Sequence, residues 1–169
     1  NSFSNKKLVI VFSAMGKVTN MLEHVVECYF QENPDPFIAL QKVKDFHFNI
    51  LNDLFAPKHS ILDEVNNLFV EIEWVLEEEP NQDYAYVYDQ IVSIGEFLST
   101  KIMSAYLQKI GFKNSLLDAR DIIKTDNSYR NAKVDWEITL ICIKSQIKEK
   151  HCVIQGFLGC TSENFTTTL

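Results

Sequence analysis

An α/β fold, with a mainly parallel sheet and a helical insertion, is what this 169-residue sequence predicts. Three observations carry it. Short unbroken apolar runs at 8–12 and 152–154 have the length of strands but lack the alternation of a half-wetted sheet. Such runs point to parallel strands covered on both faces. Between them lie long stretches with apolar residues at three- and four-residue steps, the pattern of amphipathic helices making crossover connections. Proline and glycine are also segregated: all four prolines fall within residues 34–80 and all five glycines lie outside residues 17–94. Proline starts and ends helices, whereas glycine serves sharp turns and close approach, so residues 18–82 read as a helical elaboration between strand-bearing ends.

Taken in order, residues 8–12 form the first strand and residues 18–31 carry a weak helical pattern. Phe37, Leu40, Val43, Phe46, Ile50 and Leu54 mark one amphipathic helix, and Ile61, Val65, Leu68, Phe69, Ile72 and Val75 a second. The run Glu77-Glu78-Glu79 is a solvated helix end. A third helix begins near Asp83, turns Val87, Ile91, Ile94, Leu98, Ile102 and Ala105 inward, and closes with Gly111 in the C′ position. Leu116-Leu117 is a short strand, residues 134–149 a weaker helix, and Cys152-Val153-Ile154 followed by Phe157 the last strand.

Composition excludes more than it assigns. With 46% hydrophobic residues the chain can bury one substantial core. Sixteen basic against 23 acidic residues give a net charge of −7, with the basic residues scattered, which argues against a nucleic-acid partner. Cys28, Cys142, Cys152 and Cys160 form no Cys-x-x-Cys pair, and His24, His47, His59 and His151 show no ligand spacing, so no metal site is expected. Reduced thiols in a cytoplasmic protein are the reading. The five-residue apolar run after Lys6-Lys7 falls short of the roughly 7–15 of a secretory signal. No stretch approaches the ~20 apolar residues of a membrane span.

Ligands of open parallel sheets bind beyond the carboxyl ends of the strands. After the first strand come Ser13, Ala14, Met15, Gly16, Lys17, Val18, Thr19 and Asn20: hydroxyls, a glycine and an opening helix. This is either an anion site at exposed N–H groups or a tight turn with a Thr or Asn cap. After the last strand come Gly156, Phe157, Leu158, Gly159 and Cys160, then Thr166, Thr167, Thr168 and Leu169. Gly95-Glu96 lies inside the third helix, where glycine costs up to ~1 kcal/mol against alanine. Either something approaches the backbone closely there, or Gly95 packs helix on helix and leaves Glu96 exposed.

In four places, and in order, the sequence resembles the aspartokinase branch of the amino acid kinase superfamily. Ser13-Ala14-Met15 resembles the family's serine-alanine-methionine motif. Ser93 to Ser99 resembles its glycine-glutamate-x-x-serine helix. Leu117 to Arg120 resembles its leucine-aspartate-alanine-arginine segment. Gln155 to Gly159, with Thr166 to Leu169, resembles the entry to its glycine-rich substrate loop.

The resemblance implies a three-layer α/β/α amino-acid-kinase-like fold, here truncated, with residues 1–169 as the aspartate-binding part of a catalytic domain. It implies transfer of the γ-phosphoryl group of ATP to the side-chain carboxylate of L-aspartate, with ATP and Mg²⁺ as cofactors of the complete enzyme and a homo-oligomeric state. By motif match, Ser13 and Thr19 bond the substrate near its reacting end, Glu96 holds its α-ammonium and Phe157 lines its pocket. Thr166 and Thr167 lead into the loop that grips its α-carboxylate. Asp118 and Arg120 pair within the fold, and Lys17 has no assigned role. The family's phosphoryl-transfer lysine precedes the first residue of this chain and its arginine- and aspartate-bearing loop follows the last. The expectation is therefore a part of a larger enzyme, inactive alone. A kinase for another carboxylate and a non-catalytic interaction module are the competing readings.

Overall fold

The computed structural model describes residues 6–31 and 33–169, and residues 1–5 and 32 of the expected domain lie outside the described residues. Strand β1 (Leu8–Phe12) leads into helix α1 (Val18–Gln31), then α2 (Pro36–Leu54), α3 (Ile61–Glu77), α4 (Tyr84–Val92) and α5 (Ile94–Lys109). Strand β2 (Ser115–Leu116), helices α6 (Ala119–Ile122) and α7 (Trp136–Gln146), and strands β3 (His151–Gln155), β4 (Leu158–Cys160) and β5 (Thr166–Thr168) complete the chain. The fold is α/β. Its parallel sheet has the order β1-β3-β2, with Phe12 opposite Gln155 and Leu116 opposite Val153, and β4 and β5 form a separate antiparallel pair.

The helices follow from local chemistry. Asp35 caps α2 by accepting from the Phe37 N–H at 2.9 Å, with Pro36 in the first turn, an arrangement worth about 0.5–2 kcal/mol. Leu40, Val43, His47 and Leu51 then repeat along the buried face and meet Val65, Phe69 and Ile72 of α3. Asp135 caps α7 through the N–H groups of Glu137 and Ile138. Gly111, at φ 89°, ends α5 as expected: its N–H reaches the Gln108 carbonyl and that of Phe112 the Leu107 carbonyl, the paired bonds of a left-handed C-terminus. Glu77 to Glu79 are exposed at the end of α3.

Three expectations need correction. The third helix is two, because α4 and α5 are separated at Ser93. The strand β1 is covered on one face only: Val9 and Val11 are 41% and 60% exposed on the other, where no described element packs over them. The residues after β3 are not simply a loop but the β4–β5 hairpin, in which the threonine run Thr166–Thr168 pairs with Leu158–Cys160.

α5 occupies the middle of the molecule. Thr100 on it accepts from the Gln155 side chain at 2.9 Å, and Gln155 accepts in turn from the Ala119 N–H at 2.8 Å, tying α5, β3 and α6 together. The four cysteines are all free thiols. Among the described residues no helix is long and apolar enough to cross a membrane.

His47 is a core histidine without outside contact. Its ring lies edge-on to Phe46 and Phe69, its Nδ1 donates to the Val43 carbonyl at 2.8 Å, and its Nε2 has no partner. Burial pulls its pKa below the ordinary 6.5. The unfolded chain therefore binds a proton that the folded chain refuses, and this residue's contribution to stability is lost as pH falls below that ordinary value. Thermal melts between pH 7 and pH 5 should show the parent losing stability more steeply than His47→Phe; parallel curves would rule this out.

Candidate functional site

The carboxyl ends of β1 and β3 stop side by side, and the residues beyond them share one corner. Phe12 and Gln155 pair in register, and the Gly156 N–H donates to the Phe12 carbonyl at 2.9 Å. This sets Gly156 against Ser13: a Cβ on Gly156 would stand 3.4 Å from Ser13 Oγ and 3.2 Å from Val11 Cγ1. Past Ser13 the chain turns at Gly16, whose φ of 55° is a left-handed conformation suited to glycine, and the Met15 carbonyl accepts from the Val18 N–H that opens α1. Thr19 and Asn20 lie inside the first turn of α1, so neither is its cap. Ser13 and Lys17 are exposed and Thr19 is half-buried.

Glu96 enters this corner from the first turn of α5. It is 5% exposed, which sets aside the reading of an exposed acid. Oε1 accepts from the Ala14 N–H at 2.8 Å, while Oε2 is buried with no partner. Gly95 makes the approach possible. A Cβ there would meet Leu22 at 3.1 Å and both Ala14 and Val18 at 3.2 Å, so the glycine lets α5 close on α1 and on the turn after β1. Burial pushes the Glu96 carboxyl above the ordinary carboxylate range; the Ala14 N–H bonded to it and the neighbouring Gly156 N–H, whose own hydrogen bond goes to the Phe12 carbonyl, pull the other way. A buried, unsatisfied carboxylate oxygen costs a few kcal/mol unless something binds it. At a strand-end corner its complement is a cation or an N–H donor.

Phe157 forms the next wall. It is 44% exposed and held at φ 63°, a backbone state that costs a non-glycine residue about 1–3 kcal/mol. Its carbonyl accepts from the Leu169 N–H at 3.0 Å, which brings the end of the threonine run alongside it. Within that run all three threonines are buried. The Thr166 carbonyl accepts from the Gln90 side chain at 2.9 Å, and the Thr167 hydroxyl is shared with Thr125 at 2.8 Å. Gly159 lets Thr125 in, since a Cβ there would lie 2.5 Å from Thr125 Cγ2.

Ser13, Glu96 and Phe157 thus gather at the ends of β1 and β3, with Thr19 on the adjoining helix turn, whereas Thr166 and Thr167 lie farther along the hairpin, paired with Cys160 and Gly159, and it is Leu169 that reaches Phe157. Asp118 and Arg120 pair as expected, with the guanidinium Nη2 2.7 Å from Asp118 Oδ2 and the group stacked 4.5 Å over Phe97. One residue escaped sequence reasoning, Asp89, and one was named only within a motif, Gln155; both are polar, hydrogen-bonded and buried at 0% and 5% exposure. The signal that could have found Asp89 is a lone acid within the otherwise uncharged stretch Tyr84–Val92.

A cavity of about 630 Å³ lies elsewhere, lined by Lys124, Asp126, Lys133, Asp135, Thr161 and Asn164 among others, and by none of the site residues read from the sequence. Its polar groups are largely spent locally. Asp126 accepts from the Ser128 and Lys133 N–H groups, Asp135 caps α7, and Lys124 donates to the Arg120 carbonyl. The strand-end corner, with its unsatisfied buried oxygen, is the stronger candidate.

Known proteins agree with the fold and extend it. The amino acid kinase family matches residues 2–168. The chain is 31% identical to the chloroplastic aspartokinase 3 of Arabidopsis thaliana, over 94% of this chain and 30% of that protein. It is 26% identical to the lysine-sensitive aspartokinase 3 of Escherichia coli strain K12, over 99% of this chain and 37% of that protein. Crystal structures of E. coli aspartokinase III, one with lysine and aspartate and one with aspartate and ADP, superpose with a TM-score of 0.86 at 26% identity, covering 95% of this chain and 36% of that one. The chain therefore spans about a third of the length of these relatives. By fold and by sequence, the chain belongs to the amino acid kinase family, and its likeness to aspartokinases runs along at least 94% of its length.

Proposed function

We propose that residues 1–169 are the amino-acid-binding part of an aspartate kinase catalytic domain, with a helical elaboration at about 18–82. The complete enzyme transfers the γ-phosphoryl group of ATP to the side-chain carboxylate of L-aspartate, giving 4-phospho-L-aspartate. One observation carries the reading: Glu96 is buried at the strand ends with one oxygen held by the Ala14 N–H and the other unpartnered. The related structures that contain aspartate support it.

In this reading the free Glu96 oxygen receives the α-ammonium of aspartate, and Oε1 stays on Ala14. Ser13 and Thr19 offer hydroxyls near the reacting end, and Phe157 lines the pocket. Thr166 lies in the run that leads toward the α-carboxylate. Thr167 works through its position, because its hydroxyl is held by Thr125. No residue needs to remove a proton, since the side-chain carboxylate of aspartate is already ionised near neutral pH and serves as its own nucleophile. Positioning is then the main task of the protein. ATP supplies the phosphoryl group. Among the described residues no group of three or more His, Cys, Asp and Glu could hold a metal, so Mg²⁺ is assigned to no residue here and no step is routed through it.

The reading is tested by ATP turnover. The complete enzyme carrying this segment should turn over ATP with aspartate and not with glutamate, and the 169-residue chain alone should show no aspartate-dependent turnover. Turnover with glutamate alone would overturn the substrate assignment, and clear activity of the isolated chain would overturn the division of labour.

Glu96 also links function to stability. Its raised pKa means that the folded state gains stability as pH falls through the raised value and carries a cost above it, at neutral pH. Glu96→Gln keeps the acceptor for Ala14 and removes the charge. The variant should melt at or above the parent temperature at pH 7–8, with the difference shrinking as pH drops toward the ordinary 4.5. Its aspartate Michaelis constant should rise roughly tenfold or more, the worth of a charge-assisted contact. A lower melting temperature at neutral pH, or an unchanged Michaelis constant, would contradict this.

A further inference from the structure

Asp89 is an acid in the middle of α4 with no exposure at all. Its carboxylate accepts from three donors. The Thr168 N–H and hydroxyl lie at 2.9 and 2.7 Å, and the Arg130 N–H is shared between the two oxygens at 3.0 and 3.2 Å. The Arg130 guanidinium makes no hydrogen bond to this carboxylate, although its charge helps to hold the Asp89 pKa down against burial. It stacks 4.3 Å over Tyr88 and reaches Glu23 at 3.6 Å. All three donors are therefore neutral groups. A buried carboxylate held in this way stabilises a protein weakly against an uncharged substitute, because desolvation offsets much of what the bonds return. Its use is to fix the groups that point at it.

Those groups belong to the strand that ends at the candidate site. Gln90, the next residue, donates to the Thr166 carbonyl, so two adjacent residues of α4 hold both ends of β5. The Thr168 carbonyl accepts from the Ala132 N–H at 3.0 Å, which brings in the loop from the other side. The links continue around the corner. Thr168 is followed by Leu169, whose N–H is bonded to the Phe157 carbonyl. Phe157 follows Gly156, whose N–H is bonded to the Phe12 carbonyl, and Phe12 leads into Ser13. Ser13 precedes Ala14, whose N–H is bonded to Glu96. Glu96 sits seven residues after Asp89, on α5, which follows α4 across Ser93. Covalent bonds and hydrogen bonds thus close a ring around the corner, and Asp89 joins its helical side to its strand side.

We propose that Asp89 is a positioning residue for the amino acid substrate: through Thr168 it fixes the end of β5 to α4, the helix that runs through Ser93 into the first turn of α5 and Glu96, holding the Phe157 wall and the Glu96 acid in register. The proposal rests on the aspartate-site reading above. Asp89 touches no substrate and acts through its neighbours.

The test uses the complete enzyme. Asp89→Asn keeps the shape but turns an amide NH₂ toward an N–H or O–H donor, and Thr168→Val removes only the hydroxyl leg at nearly constant volume. Asp89→Asn should raise the aspartate Michaelis constant about tenfold, with that for ATP unchanged and kcat altered by less than about threefold. Thr168→Val should shift the same constant in the same direction by less, and the double variant should be no worse than Asp89→Asn alone. A loss of thermal stability with an unchanged aspartate Michaelis constant, or additive effects in the double variant, overturns the proposal. Should Asp89→Asn fail to fold, Thr168→Val decides alone: an unchanged aspartate constant overturns the proposal and a raised one supports it. A parent enzyme without aspartate turnover overturns the function itself, whereas parent turnover with insensitive variants overturns only the role of Asp89.

Discussion

The bond between Glu96 and the Ala14 N–H is the constraint on which the site depends. It joins the central helix to the end of the first strand, two parts of the chain separated by 82 residues. Gly95 makes it possible by giving up its side chain where Leu22, Ala14 and Val18 close in. One carboxylate oxygen is consumed in this structural task. The other is left buried and unbonded, an expensive state that a folded protein keeps where a ligand completes it. In the proposed reading, structure and recognition fall to two atoms of one side chain.

Around that bond the molecule spends polar groups on alignment. Gln155 ties α5 to β3 and α6, Thr125 ties the hairpin through Thr167, and Gln90 and Asp89 tie β5 to α4. These are buried hydrogen bonds between segments far apart in sequence, each modest in net energy and strict in geometry. The helical block behind them packs by apolar periodicity and contributes mass and rigidity. Even there a polar group is spent sparingly: the one unpartnered atom of His47 sits among Phe46 and Phe69.

What the sequence made legible was local. Periodicity placed α2 and α3, an unbroken apolar run placed β1 and β3, and a C′ glycine placed the end of α5, because each depends on residues a few positions apart. Gly95-Glu96 stood out because a glycine is costly inside a helix, and the structure shows what its absent side chain admits. The threonine run carried no alternating apolar signal, so its pairing with Leu158–Cys160 was invisible as a strand. The Asp89 network joins residues 79 apart and has no local signature. The open face of β1 was also illegible, since Val9 and Val11 are apolar yet exposed, and which face of a strand is covered depends on the neighbouring elements.

The central claim is that the free oxygen of Glu96 reads a positive charge on the ligand. Calorimetric binding of L-aspartate and of succinate, the same dicarboxylate without the ammonium group, measures that directly when made on the complete enzyme and on its Glu96→Gln variant. The account predicts that the parent strongly prefers aspartate and that the variant loses most of this preference, chiefly through weaker aspartate binding. A preference that survives unchanged in the variant would contradict it.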